Sequence, residues 1–270
     1  MNLSRTQQAN VEFHRRLVGN YKGQPFFRPE NRQRVRKLLI AFSREAGNQC
    51  LLDVGCGTGF ILDLAHDLFQ RLEGIDVTPE MLACVTPRGN LTLRLGQAEN
   101  LPFPASSFNV VTCYSVLHHI EDPQSVFSEI RRVLKPGGLF YADESPSQHF
   151  REFLLQNAAR IEEQPQLKVE LHAVLHEVEA YESLYGIPED VTHQAMVQNC
   201  DRGLLTEESL RNVLAHVGFE RVQIEYRRFL SQPPLEDKFG GPYVRAVEHY
   251  LTSMLPLSRG FFKYFVIVAQ

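Results

Sequence analysis

One stretch, Leu52-Asp53-Val54-Gly55-Cys56-Gly57-Thr58-Gly59, constrains this chain more than any other. Cys50 to Val54 is a short apolar run entering a glycine cluster, the pattern of a buried parallel strand. Glycines just past a strand allow a tight turn and let backbone approach a ligand without side-chain obstruction. The helix expected from Phe60 onward then offers free N–H groups in its first turn. Asp76 lies near the end of the next expected strand, Arg71 to Val77, 21 residues after Gly55. A carboxylate there can accept hydrogen bonds from both hydroxyls of a ribose. The loop and the acid together predict a ribose-bearing ligand.

The rest of the chain supplies the sheet that such a loop needs. Further strands are expected at Leu91–Leu95, Phe108–Tyr114 and Leu139–Ala142, with helices at Phe60–Phe69, Pro79–Val85 and Pro123–Leu134. Five strands alternating with helices give a parallel sheet with right-handed crossovers. Residues 147–200 break the rhythm with helical stretches only, including Glu170 to Tyr185. Two more strands follow at Val222–Tyr226 and Tyr264–Ala269, separated by an excursion with a helix around Tyr243 to Met254. The expected organisation is a helical amino-terminal arm (1–48), an α/β core (49–146), a helical insertion (147–200) and a completion of the sheet (201–270) with a helical excursion at about 230–260.

Composition narrows the function classes. The 270 residues carry a net charge of −4 and 43% apolar residues, ordinary for a globular chain. Residues 1–50 hold ten Lys and Arg against three acids, so a basic arm precedes an acidic body. The overall acidity argues against a whole surface built to coat nucleic acid. No apolar run reaches membrane-spanning length, and the first residues lack the order of a signal peptide. Cys50, Cys56, Cys84, Cys113 and Cys200 form no CxxC pair and read as reduced thiols of a cytoplasmic protein.

The dinucleotide fingerprint G-x-G-x-x-G/A is disfavoured, because Phe60 occupies its sixth position. Residues 53–59, DVGCGTG, instead resemble the first motif, D-x-G-x-G-x-G, of class I S-adenosylmethionine (SAM)-dependent methyltransferases. Further resemblances follow in order: Asp76, Val77, Pro79 and Met81; Gly96 to Phe103; Phe108 to Val111; Ser115 to Ile120; and Leu134 to Gly138. They cover about residues 48–145 and are closest to the broad branch that includes ubiquinone- and menaquinone-biosynthesis methyltransferases. The resemblance implies a Rossmann-like, seven-strand, mostly parallel sheet with helices on both faces, the insertion acting as a lid. It implies SAM as cofactor and S-adenosylhomocysteine (SAH) as product.

Residue by residue, the resemblance implies that Gly55, Cys56, Gly57, Thr58 and Gly59 hold the methionine part and ribose, with Asp53 ordering the loop. Asp76 would clamp the ribose, Val77, Met81 and Leu101 would sandwich adenine, and Gln97, Ala98 and Glu99 would line its edge. Gln97 departs from the aspartate often found there, but its carbonyl still accepts a hydrogen bond. Asn109 also replaces an aspartate, at a position read as structural. Tyr114 and Ser115 would face the methionine amino group. His118 and His119 are the candidate general base, or a turn cap and a packed ring. Tyr21, Phe27 and Arg28 in the arm, and Tyr181 and Tyr185 in the insertion, are candidate substrate contacts; for the two insertion tyrosines, with His193 and Met196, the core reading is favoured, since aromatic and Met positions usually pack. His172 and His176 with Glu179 lack the HExxH glutamate and any nearby cysteine, so no metal is expected. The acceptor is expected to be a small metabolite or natural product methylated on O, N or C. A tRNA-modifying enzyme, carried by the basic arm alone, and a SAM-binding protein without transferase activity are the alternatives.

Overall fold

The computed structural model of the protein describes residues 2–200 and 206–270. Seven strands form one sheet: β1 (Cys50–Val54), β2 (Arg71–Asp76), β3 (Leu91–Leu95), β4 (Phe108–Tyr114), β5 (Leu134–Pro146), β6 (Val222–Phe229) and β7 (Phe262–Ala269). Their order is β3-β2-β1-β4-β5-β7-β6. β1 to β5 run parallel, and β7 lies antiparallel to both β5 and β6. The strand order reverses between β1 and β4, which opens a crevice at their carboxyl ends.

Alternation along each strand divides the core between two faces. Leu52, Val111 and Phe140 pack under α5 (Pro123–Val133) and α12 (Glu207–His216). Their neighbours Leu51, Val110 and Tyr141 pack on the opposite face, against α2 (Pro29–Glu45) and α3 (Phe60–Ala65). Both faces of the central strands are therefore apolar, as their near-continuous hydrophobic runs require.

The arm begins with α1 (Arg5–Leu17), whose Ser4 and Gln7 form a reciprocal capping box. Between β2 and β3 lies the short α4 (Pro79–Leu82). The insertion contains α6 (Gln148–Gln156), α7 (Ala158–Glu162), α8 (Pro165–Leu175), α9 (Glu177–Tyr185), α10 (Glu189–Ala195) and α11 (Val197–Cys200). The excursion carries two helices rather than one, α13 (Gln232–Phe239) and α14 (Gly241–Ser253).

Other expectations also differ from the structure; the helix expected over Pro79–Val85, for one, ends at Leu82. The helix expected over Glu170 to Tyr185 is broken at His176, whose backbone lies at φ −116°, ψ 28°. The break has a packing reason: Leu171 and Val174 of α8 join Phe150 and Leu154, whereas Tyr181 and Tyr185 of α9 join Phe13 and Leu17 of α1. One straight helix cannot serve both clusters. β5 starts early, with Leu134 paired to Phe108, then bulges through Pro136-Gly137-Gly138 before Leu139 pairs with Val110. Gly137 at φ +72° makes that detour tolerable. The helix expected to run to Phe69 ends at Ala65. The boundary placed at residues 200 and 201, and the Cys200 side chain, lie outside the described residues; Cys50, Cys56, Cys84 and Cys113 are free thiols.

The arm's charge is partly consumed by neighbours. Arg15 and Arg16 pair with Glu12, Arg36 with Asp67, and Arg34 with the buried Asp143. Among the described residues, no helix is long and apolar enough to cross a membrane.

Candidate active site

The glycine loop is built as its sequence demands. Gly55, Gly57 and Gly59 all take positive φ, at +68°, +51° and +89°. A Cβ on Gly55 would stand 2.5 Å from Val116 Cγ2, so both conformation and space require glycine there. The Gly55 and Cys56 N–H groups donate to Ile75 O of β2 at 2.8 and 3.0 Å. Asp76 completes the turn: its Oδ2 accepts from Gly57 N and its Oδ1 from Thr78 N, both at 2.8 Å. Each oxygen retains a lone pair for a further donor.

Above this floor, at the crevice between β1 and β4, lies a cleft of about 710 Å³, its open mouth included. Among the expected cofactor residues, Gly55, Gly57, Asp76 and Val77 line it from the β1 and β2 side. Gln97, Ala98 and Glu99 form another wall, and Ser115 and His119 enter from the end of β4. Tyr21 of the arm reaches in as well. Behind the loop a tighter chamber of about 260 Å³ is lined by Asp53, Cys56, Thr58 and Tyr114, and it shares Tyr21 and Gly55 with the cleft.

Other expected residues stand elsewhere. Met81 and Leu101 are buried and line neither space. Gly59 serves packing, since a Cβ there would lie 2.9 Å from Val85. Phe27 stacks edge-on against Phe60 at 5.2 Å, and Arg28 is exposed. Tyr181 and Tyr185 pack with Phe13 in the small core between α1 and α9. Asn109 is structural: it accepts from Cys50 N and Lys135 Nζ and donates to Ala46 O. His172 bonds Glu162 at 2.7 Å, and His176 lies 3.8 Å from Glu179.

The local sequence reading missed α1 as a wall of the cleft. Gln7 donates to Glu99 at 2.9 Å and accepts from Gln97 at 3.0 Å, while Asn10 donates to His119 O at 3.2 Å. Gln194 of α10 in turn donates to Thr6, clamping the helix from outside. Gln97 spends its amide N–H groups on Gln7 and Asn2, which leaves its carbonyl as the free end.

The histidines cluster, with ring centres 4.1 Å apart for the tilted His118–His119 pair and 4.8 Å for the edge-on His14–His119 pair. Burial pushes all three below the usual histidine range, and His118 falls to about 3. The rings are therefore neutral at pH 7. His119 Nδ1 points at Ala195 O, 2.9 Å away, so it carries the proton and Nε2 is the basic nitrogen. His118 does not line the cleft.

Asp53 is buried, and Thr112 Oγ1 of β4 donates to it at 2.6 Å, so its hydrogen bond runs sideways across the sheet rather than into the loop. Burial raises its carboxyl to about 7; the charge of Asp76 adds to the shift and the Thr112 bond opposes it. A carboxyl that binds its proton more tightly when folded stabilises the fold at low pH. That contribution is lost as pH rises through about 7. Thermal melts between pH 4 and 8 should therefore show an Asp53→Asn variant gaining stability relative to wild type as pH rises. A difference that stays constant across the window contradicts this.

Residues 52–142 match the protein family described as "Methyltransferase domain". The chain is 36% identical over 120 residues to an uncharacterized methyltransferase of Bacillus subtilis, covering 40% of this chain and 47% of that protein. It is 34% identical over 111 residues to the ubiquinone/menaquinone biosynthesis C-methyltransferase of Desulfotalea psychrophila, covering 39% of this chain and 45% of that one. The chain thus spans about half the length of these curated relatives. In fold it is similar to the [4+2]-cyclase SpnF, with a TM-score of 0.56 and 19% identity over 100% of this chain and 98% of that one.

Proposed function

We propose that this chain, whose residues 52–142 match the family described as "Methyltransferase domain", is a class I SAM-dependent methyltransferase that transfers a methyl group from SAM to an O, N or C atom of a small molecule. The observation that carries this reading is the placement of Asp76 at the switch-point cleft, its two oxygens fixed by Gly57 and Thr78. The residues present fit such a cofactor. Thr58 Oγ1 behind the loop and Asn10 Oδ1 beside the cleft are buried without hydrogen-bond partners. A Cβ on Gly57 would project toward the Tyr21 ring, 3.6 Å away, and narrow the space between loop and arm.

When bound, SAM supplies a methyl group on an already activated sulfonium. The chain's own task is to hold, orient and exclude water, and positioning of this kind is worth ~7–11 kcal/mol. Asp76 would clamp the ribose, with Val77, Ala98 and the carbonyl of Gln97 around the base. The backbone at Gly55, the Thr58 hydroxyl and the Tyr114–Ser115 segment would hold the methionyl part. α1, tied to Gln97, Glu99 and His119, would keep solvent from its side of the cleft. His119 Nε2 would accept a hydrogen bond from the attacking group and orient it. A ring whose basicity is suppressed by burial orients a donor better than it stores a proton.

Calorimetric titration tests the reading. SAH is expected to bind at micromolar affinity and NAD not at all, because Phe60 disagrees with the dinucleotide turn. A folded sample that ignores SAH, or prefers NAD, overturns it. Conversion of SAM to SAH that depends on added acceptor then separates a transferase from a SAM-binding protein without that activity.

A further inference from the structure

A second cavity, of about 640 Å³ with its open mouth included, lies where the carboxyl end of β5 and the amino end of β7 meet the insertion. Phe150 and Val174 give it apolar walls. Its charges cancel in pairs: Lys263 is bonded to Glu170, and Arg151 faces Glu177. A site with balanced internal charges selects against a strongly charged ligand, whose counter-ion it cannot supply.

Asn199 gives the cavity its direction. The side chain is 8% exposed, lines the cavity and hydrogen-bonds through its amide to the Glu177 carboxylate. A carboxylate accepts, so the NH2 end is spent there. Asn199 Oδ1 is left buried with no partner. A buried acceptor without a donor is costly, and an N–H or O–H from a ligand relieves it.

The cavity lies at the same carboxyl edge of the sheet as the cofactor cleft: Pro146 and Ser147 at the end of β5 line the cavity, as Ser115 just after β4 lines the cleft. Tyr264 lines the cavity, Tyr181 lies within electrostatic reach of both Tyr264 and Glu177, and Tyr21 of the cleft lies within reach of Tyr181. All three are half-buried, and Tyr181, packed on Phe13, stands between the other two.

We infer that this cavity takes the body of the methyl acceptor: a neutral amphipathic small molecule that directs a hydroxyl or amine, remote from the methylated atom, at Asn199 Oδ1. The inference rests on the methyltransferase reading for the word acceptor, but its binding test does not. The full-length protein, saturated with SAH, is titrated with 2-naphthol and with 2-methoxynaphthalene, which has the same ring system and no donor. 2-Naphthol is expected to bind about tenfold tighter, the worth of one hydrogen bond to a buried acceptor. Asn199→Leu should bring that ratio to about one. Ala173→Trp, at an exposed cavity position, should weaken both ligands at least tenfold. SAH affinity in both variants should stay within twofold of wild type. The inference fails if 2-naphthol does not bind, if it binds no tighter than its ether, or if the preference survives Asn199→Leu. It fails equally if Ala173→Trp, folded and binding SAH, still takes 2-naphthol normally; this variant decides the matter if Asn199→Leu does not fold. Loss of SAH binding by wild type would strike the methyltransferase reading instead, and the naphthol pair, titrated alone, would still judge the cavity.

Discussion

Asp76→Ala is expected to weaken SAH binding by about 10²–10⁴-fold while leaving the melting temperature within a few degrees of wild type. The size follows from two charge-assisted hydrogen bonds to ribose hydroxyls, at roughly 1.5–3 kcal/mol each. A second contribution is structural, because Gly57 N and Thr78 N lose the acceptors that hold the turn in register. Asp76→Asn separates the two: its carbonyl keeps one acceptor without the charge, so it should fall between alanine and wild type. An Asp76→Ala protein with SAH affinity within threefold of wild type would remove the central support for the proposed function.

Arg34→Ala is expected to destabilise the fold by about 3–5 kcal/mol, since removing one member of a buried ion pair strands the other charge. The Arg34 guanidinium donates to Asp143 at 2.7 Å, and the Asp143 side chain is 1% exposed. Tyr141 OH also donates to Asp143 Oδ2, and Arg34 donates to Asn31, which bonds Tyr114. The network ties α2 to the carboxyl ends of β4 and β5. For a chain of this size the loss should lower the melting temperature by roughly 10 °C. Asp143→Asn in the same background should recover part of it, because the stranded charge is gone. A melt unchanged by Arg34→Ala would mean that solvent reaches Asp143 more readily than its burial implies.

What could be read from sequence was local. DVGCGTG and Asp76 lie within one βαβ unit, where turn stereochemistry and strand period fix the geometry almost by themselves, and the sheet and cleft followed. The roles of Met81 and Leu101 did not follow, because which apolar residues face a ligand and which face the core depends on packing from elements far along the chain. α1 shows the same limit. Its capping box at Ser4 and Gln7 is local, yet the bond from Gln194 to Thr6 that holds the helix in place joins residues 188 apart. The bend at His176 likewise answers to two separate clusters, and nothing in the residues around it announces either.

The position of β7 has a consequence for biosynthesis. It fits between β5 and β6, although it follows both in the chain. Until residues 262–269 have been made and threaded in, β5 presents an unpaired edge beside finished apolar faces, and β6 has no partner. A nascent chain paused anywhere in the excursion of α13 and α14 therefore carries an open sheet, the kind of edge that pairs with other chains. The cofactor crevice, formed by strands made much earlier, does not wait for that closure. Ligand capture during synthesis could thus begin before the sheet is sealed, stabilising the half of the molecule already built.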